Sequence, residues 1–286
     1  MKILYLTFAL LTALPDFGGN NPKSPLTVTY VANEGFIIEC GGKKIAIDAL
    51  FGSGKSDEYQ MPTDSIITLM KQALPPFDGL DLIAVTHYHG DHFAPELVVS
   101  CLRHNPDAIL VCSPQVAEKL AGLEAFSEIS NQIKIVDAPV DSIVNLRING
   151  INISALPGKH GPYYETDEAT GVKMDRHKDV QHLEFLITTS GRTIFHSGDA
   201  PLNDMTRYSR PGFANHNVDL ALVQWFVPRK AISFRENLVR QTLNPGKIIL
   251  MHLRPGQNFS GPENQKACAD RNIIVPERML EQCIIP

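Results

Sequence analysis

The feature that most constrains this 286-residue chain is a cluster of metal-ligand side chains directly after a short apolar run. The run Leu82-Ile83-Ala84-Val85 leads into Thr86-His87-Tyr88-His89-Gly90-Asp91-His92, which holds three imidazoles and one carboxylate. A short apolar run is typical of a buried strand, and open α/β sheets carry their functional groups at the carboxyl ends of their strands. The pattern therefore predicts a metal site on a loop that follows a buried strand.

The side-chain chemistry of this loop indicates which cations it suits. Imidazole nitrogen and carboxylate oxygen bind Zn, Mn or Fe, and no thiolate lies among them to form a closed structural Zn site. By alternation His87 and His89 can point the same way, while Gly90 lets the chain turn back to present Asp91 and His92. A solvated polar loop would explain a lone histidine, but four ligand-type side chains favour a loop that serves two adjacent metals.

The motif His-x-His-x-Asp-His after a buried strand resembles the signature of the metallo-β-lactamase-fold hydrolase superfamily. The resemblance implies three further ligands in a set order, each at the end of a later strand. The chain has a matching residue for each: His160 after residues 151–156 and a Pro-Gly turn, Asp199 after residues 193–196, and His252 after Lys247–Met251.

The resemblance also implies two divalent cations, most simply Zn, with Mn or Fe able to use the same ligands. The implied first cation is bound by His87, His89 and His160, the second by Asp91, His92 and His252, and Asp199 bridges the two. Such a pair of cations lowers the pKa of a shared water and supplies a hydroxide nucleophile without a protein base. The implied reaction is hydrolysis, with Asp91 as the catalytic residue that both binds metal and orients the nucleophile.

The fold class follows partly from the pattern and partly from the resemblance. Strand-like apolar runs alternate with helix-like segments, such as residues 63–74 and Pro262–Asp270, which alone supports an α/β or α+β fold. The superfamily implies a four-layer αβ/βα sandwich, in which two facing sheets are covered by helices on their outer sides. No segment has the composition of a linker or a repeat, so we expect one hydrolase domain over residues 26–286.

Shorter patterns resemble one branch of the superfamily, which contains ascorbate-6-phosphate lactonase-like and N-acylphosphatidylethanolamine phospholipase D-like enzymes. They comprise residues 36–40 through Asp48, Pro157-x-x-His160, and residues 182–199. The branch implies a small lactone, ester or phosphodiester as substrate. Alternatives are hydrolysis of a β-lactam or other amide, a metal-dependent nuclease, and an inactive metal-binding protein of the same fold.

Five further side chains are candidates for supporting the ligands or contacting the substrate. Asp48 ends a strand where the superfamily has an acidic residue that orients the metal ligands, and His196 precedes Asp199 closely enough to orient a ligand by hydrogen bond. Arg254, beyond His252, is a candidate anion contact. Tyr163 lies in residues 159–181, predicted as a specificity loop or a solvated charged hairpin, and Trp225 suggests a hydrophobic wall or core packing.

Charge and cysteine content limit the partners. The formal net charge of -5 argues against a protein that coats nucleic acid, because such domains usually carry a basic stripe. We expect a small-molecule substrate and no nucleic-acid partner. The five cysteines include no Cys-x-x-Cys pair and fit small buried apolar positions. The sequence leaves the oligomeric state open.

Residues 1–25 are surplus to the predicted domain and resemble a short export signal, with an extra N-terminal strand or helix as the alternative. Lys2 precedes an apolar run over residues 3–14, which ends before Pro15 and is followed by a polar, glycine-rich segment. The run is shorter than the about 20 apolar residues that span a bilayer, so no transmembrane helix is expected. We expect an exported protein, with a cytoplasmic protein as the alternative.

Overall fold

The computed structural model describes residues 23–52, 56–203, 206–209 and 217–286. The predicted N-terminal signal, residues 1–25, lies outside the described residues except for its last three. Within the described ranges, no helix is long and apolar enough to cross a membrane.

The described part of the chain forms sixteen strands. The first eight are β1 (Leu26–Ala32), β2 (Gly35–Cys40), β3 (Lys43–Ile47), β4 (Leu82–Ala84), β5 (Ile109–Cys112), β6 (Ile133–Ile135), β7 (Val144–Ile148) and β8 (Ile151–Lys159). The others are β9 (Tyr164–Thr166), β10 (Lys173–Asp175), β11 (Gln181–Thr189), β12 (Arg192–His196), β13 (Leu220–Gln224), β14 (Lys247–Met251), β15 (Ile273–Ile274) and β16 (Gln282–Ile285).

Six α-helices lie among the described residues, and local signals set where they begin. They are α1 (Asp64–Gln72), α2 (Pro95–His104), α3 (Pro114–Ala121), α4 (Phe126–Ile129), α5 (Phe234–Leu243) and α6 (Pro262–Asp270). The hydroxyl of Thr63 accepts a hydrogen bond from the Ile66 amide and caps α1, and Ser233 caps α5 in the same way. Short 3₁₀ turns occur at Ser130–Gln132 and Thr206–Ser209.

Two seven-stranded sheets of related design form the body of the molecule. Their strand orders are β16-β1-β2-β3-β4-β5-β6 and β15-β14-β13-β12-β11-β8-β7. In each sheet one half is antiparallel, and the other half, β3 to β6 or β12 to β15, is parallel. Parallel neighbours need crossover connections, and α-helices lie in five of these six connections among the described residues. The strands β9 and β10 form a separate antiparallel ribbon.

Three buried clusters separate four layers. On β3, Ile45 and Ile47 face a central cluster between the sheets, whereas Ala46 faces a second cluster beneath α1, α2 and α3. A third cluster packs Val239 and Leu243 of α5 against the outer face of the second sheet. This alternation along one strand is what a sheet covered on both faces requires. The predicted four-layer αβ/βα sandwich is confirmed.

The segment over residues 159–181, predicted as a specificity loop or a solvated charged hairpin, contains the antiparallel β9–β10 ribbon. Its form is that of the hairpin alternative. The cysteines at positions 40, 101, 112, 268 and 283 are all free thiols, and the first three are buried.

Candidate metal centre

The predicted ligands lie at one edge of the sandwich, where strand ends from both sheets meet. The loop at residues 86–92 follows β4, and Asp48 follows its parallel neighbour β3. His160, Asp199 and His252 follow β8, β12 and β14 of the second sheet. The fold therefore brings all seven predicted ligands, which are distant in the chain, into one place.

His87, His89, His160 and Asp199 form the first group of ligand atoms, which lie within 4.8 Å of one another. The Nε2 atom of His87 faces Nδ1 of His89 at 3.0 Å, and Nε2 of His160 lies 3.0 Å from Oδ2 of Asp199. Three imidazoles and one carboxylate that converge in this way form a donor set that suits a transition metal such as Zn.

The second group shares Asp199 with the first. One ligand atom each from Glu34, His92, Asp199 and His252 lie within 4.8 Å of one another. The Oδ2 atom of Asp91 lies 3.4 Å from Nε2 of His92 and 3.9 Å from Nε2 of His252. The Asp199 carboxylate has Oδ2 3.6 Å from Nε2 of His92 and Oδ1 3.5 Å from Nε2 of His252. Its position between the groups is the one that a bridging ligand needs.

Asp48 fixes the proton positions of two of these histidines. Its carboxylate accepts hydrogen bonds from the Thr86 amide (2.8 Å), the Thr86 hydroxyl (2.6 Å) and Nδ1 of His92 (2.8 Å). Because the Thr86 hydroxyl donates its only proton to Asp48, it accepts from Nδ1 of His87, at 3.0 Å. Both rings thus carry a proton on Nδ1, which leaves Nε2 as the metal-binding atom.

The Gly161 carbonyl has the same effect on His160. It accepts hydrogen bonds from Nδ1 of His160 at 2.7 Å and from Nδ1 of His177 at 3.1 Å. The Gly161 amide in turn donates to the Asp199 carbonyl at 2.8 Å. The backbone at Gly161 therefore ties His160 and Asp199 together and directs Nε2 of His160 into the centre.

A family comparison agrees with this arrangement. A family model for a beta-lactamase superfamily domain matches residues 43–254, a range that includes all seven predicted ligands. The chain belongs to the metallo-β-lactamase superfamily. The resemblance drawn from the His-x-His-x-Asp-His motif is thus confirmed at the level of the superfamily.

Several similar proteins are described as metal-dependent hydrolases. A UPF0173 metal-dependent hydrolase of Pyrococcus abyssi is 26% identical over 186 residues, which are 64% of this chain and 65% of that protein, just under two thirds of its length. One from Thermococcus kodakarensis is 27% identical over 232 residues, covering 79% of this chain and 83% of that one. The structure of Igni18, a metallo hydrolase of Ignicoccus hospitalis, matches with a TM-score of 0.55 at 18% identity, covering 92% of this chain and 99% of that chain. This last match shows the fold.

Burial and mutual charge set the protonation of this superfamily centre in the absence of a cation. Burial lowers the pKa of His87 well below its ordinary value and lowers that of His89 to about 4. Burial also acts to lower the pKa of His92, but the carboxylates of Asp91 and Asp199 outweigh it and raise that pKa well above the ordinary value. His87 and His89 are therefore neutral at pH 7 and can bind a cation without releasing a proton.

A cleft of about 500 Å³ opens above the two groups. Its wall includes several predicted ligands, Tyr163 and His177 of the predicted specificity segment, and Gln224 beside Trp225. It also includes two side chains that the sequence did not single out, Glu58 and Tyr59. Gln224 donates from Nε2 to Oδ1 of Asp199 at 2.6 Å. His177 lies in the predicted specificity segment, which was the only signal for it, and its ring centroid is 4.2 Å from that of His160.

Two candidate contacts do not reach this cleft. Arg254 is exposed and is not part of the described cleft wall. Trp225 packs against the buried cluster between the second sheet and α5, and its carbonyl accepts a hydrogen bond from Arg235. The structure therefore places Trp225 in the packing role that the sequence had left as an alternative, while its neighbour Gln224 faces the centre.

The turn between β1 and β2 contributes two buried side chains that the sequence pattern missed. Nδ2 of Asn33 donates to Oδ2 of Asp91 at 3.1 Å, and the carboxylate of Glu34 belongs to the second ligand group. His196 supports this turn, since its Nε2 donates to the Glu34 carbonyl at 3.0 Å while its Nδ1 accepts from the Gly198 amide. A polar Asn-Glu pair between two apolar strands was the available signal.

Proposed function

We propose that this metal-dependent hydrolase is binuclear and cleaves a small, uncharged ester or lactone. The observation that carries the proposal is the position of the Asp199 carboxylate. One of its oxygens lies 3.0 Å from Nε2 of His160 in the first group, and the other lies 3.5 Å from Nε2 of His252 in the second. A carboxylate between two histidine groups supports a pair of cations that share it.

The residues fit such a pair, with Zn as the default for the first position. When bound, the cations supply Lewis acidity and lower the pKa of water towards neutrality. Asp91 is held by Asn33 and Asp199 by Gln224, so both carboxylates stay in place while a substrate enters. Asp91 lines the cleft and is positioned to orient a nucleophile over the substrate.

The cleft wall supports the choice of substrate class. Among its described residues there is no Lys or Arg, and Glu58 adds a negative charge. A phosphodiester anion would gain no charge-assisted hydrogen bond from a guanidinium or ammonium in this wall. Tyr59, Tyr163 and His177 instead offer aromatic surface and neutral polar atoms, which suit an uncharged ester or lactone.

The experiment combines metal analysis with a substrate panel. The full chain and its Asp199→Ala variant would be analysed for bound metal and assayed on lactones, esters, phosphodiesters and β-lactams. We expect two cations per wild-type chain, turnover of a lactone or ester, and loss of both the second cation and turnover in the variant. Asp270→Ala, on the exposed end of α6, is the control.

Two results would overturn the proposal. If the wild-type chain bound only one cation at saturation, the proposed binuclear centre would be contradicted. If the protein turned over phosphodiesters but no lactone or ester, the proposed substrate class would be wrong, and the phospholipase-like branch would be favoured.

A further inference from the structure

The carboxylate of Glu34 is buried without a hydrogen-bond donor beside it among the described residues. Glu34 is 0% exposed, and neither of its carboxylate oxygens has a hydrogen-bond partner in the described part of the chain. By contrast, the neighbouring Asp48, Asp91 and Asp199 all accept hydrogen bonds from protein donors. An ionised carboxylate removed from water is strongly disfavoured unless a partner compensates its charge. The surroundings of Glu34 therefore call for a positive partner.

His92 and His196 both lie close to Glu34, but neither donates a hydrogen bond to its carboxylate. Nδ1 of His92 lies 3.9 Å from Oε2 of Glu34, but it donates to Asp48 at 2.8 Å. Nε2 of His196 donates to the main-chain carbonyl of Glu34, and its Nδ1 accepts from the Gly198 amide. Nδ1 of His92 and Nε2 of His196 thus donate to other acceptors and not to the Glu34 carboxylate.

The turn also holds the Glu34 carboxylate inside the molecule. Asn33 adopts φ +47, and its carbonyl accepts a hydrogen bond from the His252 amide at 3.3 Å. A Cβ atom at Gly35 would lie 2.8 Å from the Asp48 carbonyl, so the chain runs close against β3. With the Glu34 carbonyl held by His196 as well, the turn is fixed on both sides.

We propose that Glu34 is a ligand of the second cation, beside Asp91, His92, Asp199 and His252. The inference rests on the two-cation centre proposed above and specifies its second position. A single proton could satisfy only one Glu34 oxygen, whereas a cation can compensate the whole carboxylate. Three carboxylates and two imidazoles make this position richer in oxygen than the first, which has three imidazoles. Oxygen-rich sites suit Mn²⁺ better than imidazole-rich sites do, so the second position favours Mn²⁺.

The test is a titration of the chelator-stripped full chain with Mn²⁺, followed through the electron paramagnetic resonance signal of the free ion. Glu34→Gln keeps the shape of the side chain and removes its charge. We expect this variant to bind Mn²⁺ at the second position about tenfold to a hundredfold more weakly, and to bind Zn²⁺ at the first position like the wild type. Glu39→Gln, further along β2 and partly exposed, is the matched control and should bind like the wild type.

Thermal melting of the stripped proteins separates a ligand from a structural role. If Glu34 serves a cation, stripped Glu34→Gln melts at or above the wild-type temperature, and Mn²⁺ raises its melting temperature less than that of the wild type. A stripped variant that melts lower or fails to fold would overturn the inference, as would unchanged Mn²⁺ binding. If the wild type binds no second cation at all, the proposed binuclear centre fails instead.

Discussion

At the residue scale, Asp48 accepts hydrogen bonds from two residues of the candidate centre but is not part of the described cleft wall. Its Oδ2 accepts from both the Thr86 hydroxyl and Nδ1 of His92. In Asp48→Asn, an amide placed there would donate, so the His92 proton would move to Nε2, the metal-binding atom. We expect second-site affinity to fall about tenfold to a hundredfold, and the free energy of unfolding of the stripped protein to fall by about 1–3 kcal/mol. Calorimetric metal titration and urea denaturation measure the two effects.

The Asp48 prediction has a direct control in Asp78. Asp78 is about half exposed and pairs with Lys44 at 2.9 Å, far from any predicted ligand. Asp78→Asn should leave metal affinity unchanged and alter stability by less than about 1 kcal/mol. Equal metal binding by Asp48→Asn and the wild type would contradict the role assigned to Asp48.

Gly198, beside the predicted bridging ligand, is a position where only glycine fits. Its φ is +47, and a Cβ atom there would lie 2.5 Å from Nε2 of His182 and 2.8 Å from Cγ2 of Thr86. We expect Gly198→Ala to destabilise the protein by roughly 1–3 kcal/mol through overpacking, in addition to the strain of positive φ. Gly171→Ala isolates that strain, because Gly171 has φ +69 and open space around it. Equal urea midpoints for the two variants would argue against the steric explanation.

At the element scale, the β9–β10 ribbon holds two cleft side chains at its base. Oδ1 of Asp175 accepts hydrogen bonds from the amides of Tyr163 and His177, each at 3.0 Å. Asp175→Ala should therefore loosen both side chains and raise KM for the substrate found in the panel about fivefold, equivalent to about 1 kcal/mol, with kcat and metal content nearly unchanged. Asp167→Ala removes a similar hydrogen-bond network at the tip of the ribbon and should leave KM unaltered. A drop in metal content in Asp175→Ala would show that the ribbon supports the ligands instead.

The secondary-structure elements also show which bounds could be predicted from the sequence and which could not. The helix Pro262–Asp270 and the strand Lys247–Met251 were predicted with their observed bounds. Proline at a helix start and a short apolar run in a strand are signals that the neighbouring sequence alone provides. The helix expected to start near residue 63 begins at Asp64, with Thr63 as its cap. The role of Glu34 could not be predicted, because it depends on β1 and β2 lying beside strands far along the chain. The β16 strand was missed for the same reason, since its partner is β1 at the other end of the chain.

At the scale of the whole molecule, the centre is the junction between two similar halves. Asp48 and the 86–92 loop come from the first sheet, and His160, Asp199 and His252 from the second. The His252 amide donates to the Asn33 carbonyl, and the Leu183 amide donates to the Thr86 carbonyl at 2.9 Å, so hydrogen bonds cross between the halves at the site itself. We therefore expect metal binding to be coupled to the docking of the sheets, so that a bound cation raises the free energy of unfolding.

The buried histidines of the centre make the stability of the stripped protein depend on pH. Burial lowers the pKa of four histidines of this region, namely His87, His89, His182 and His196. As the pH falls from about 6.5 to 5, these side chains take up protons more readily in the unfolded chain than in the folded one, so stability falls. His92 and Glu34, whose pKa values are raised, act in the opposite sense, because the folded chain holds their protons while the unfolded chain holds fewer; these two groups offset only part of the effect of the four histidines. We therefore expect the melting temperature of the stripped protein to decrease between pH 6.5 and 5 in calorimetric scans, and saturating Zn²⁺ at pH 7 to raise it. A melting temperature that rises on acidification would mean that these histidines are charged in the folded state, which would contradict their buried, neutral arrangement around the centre.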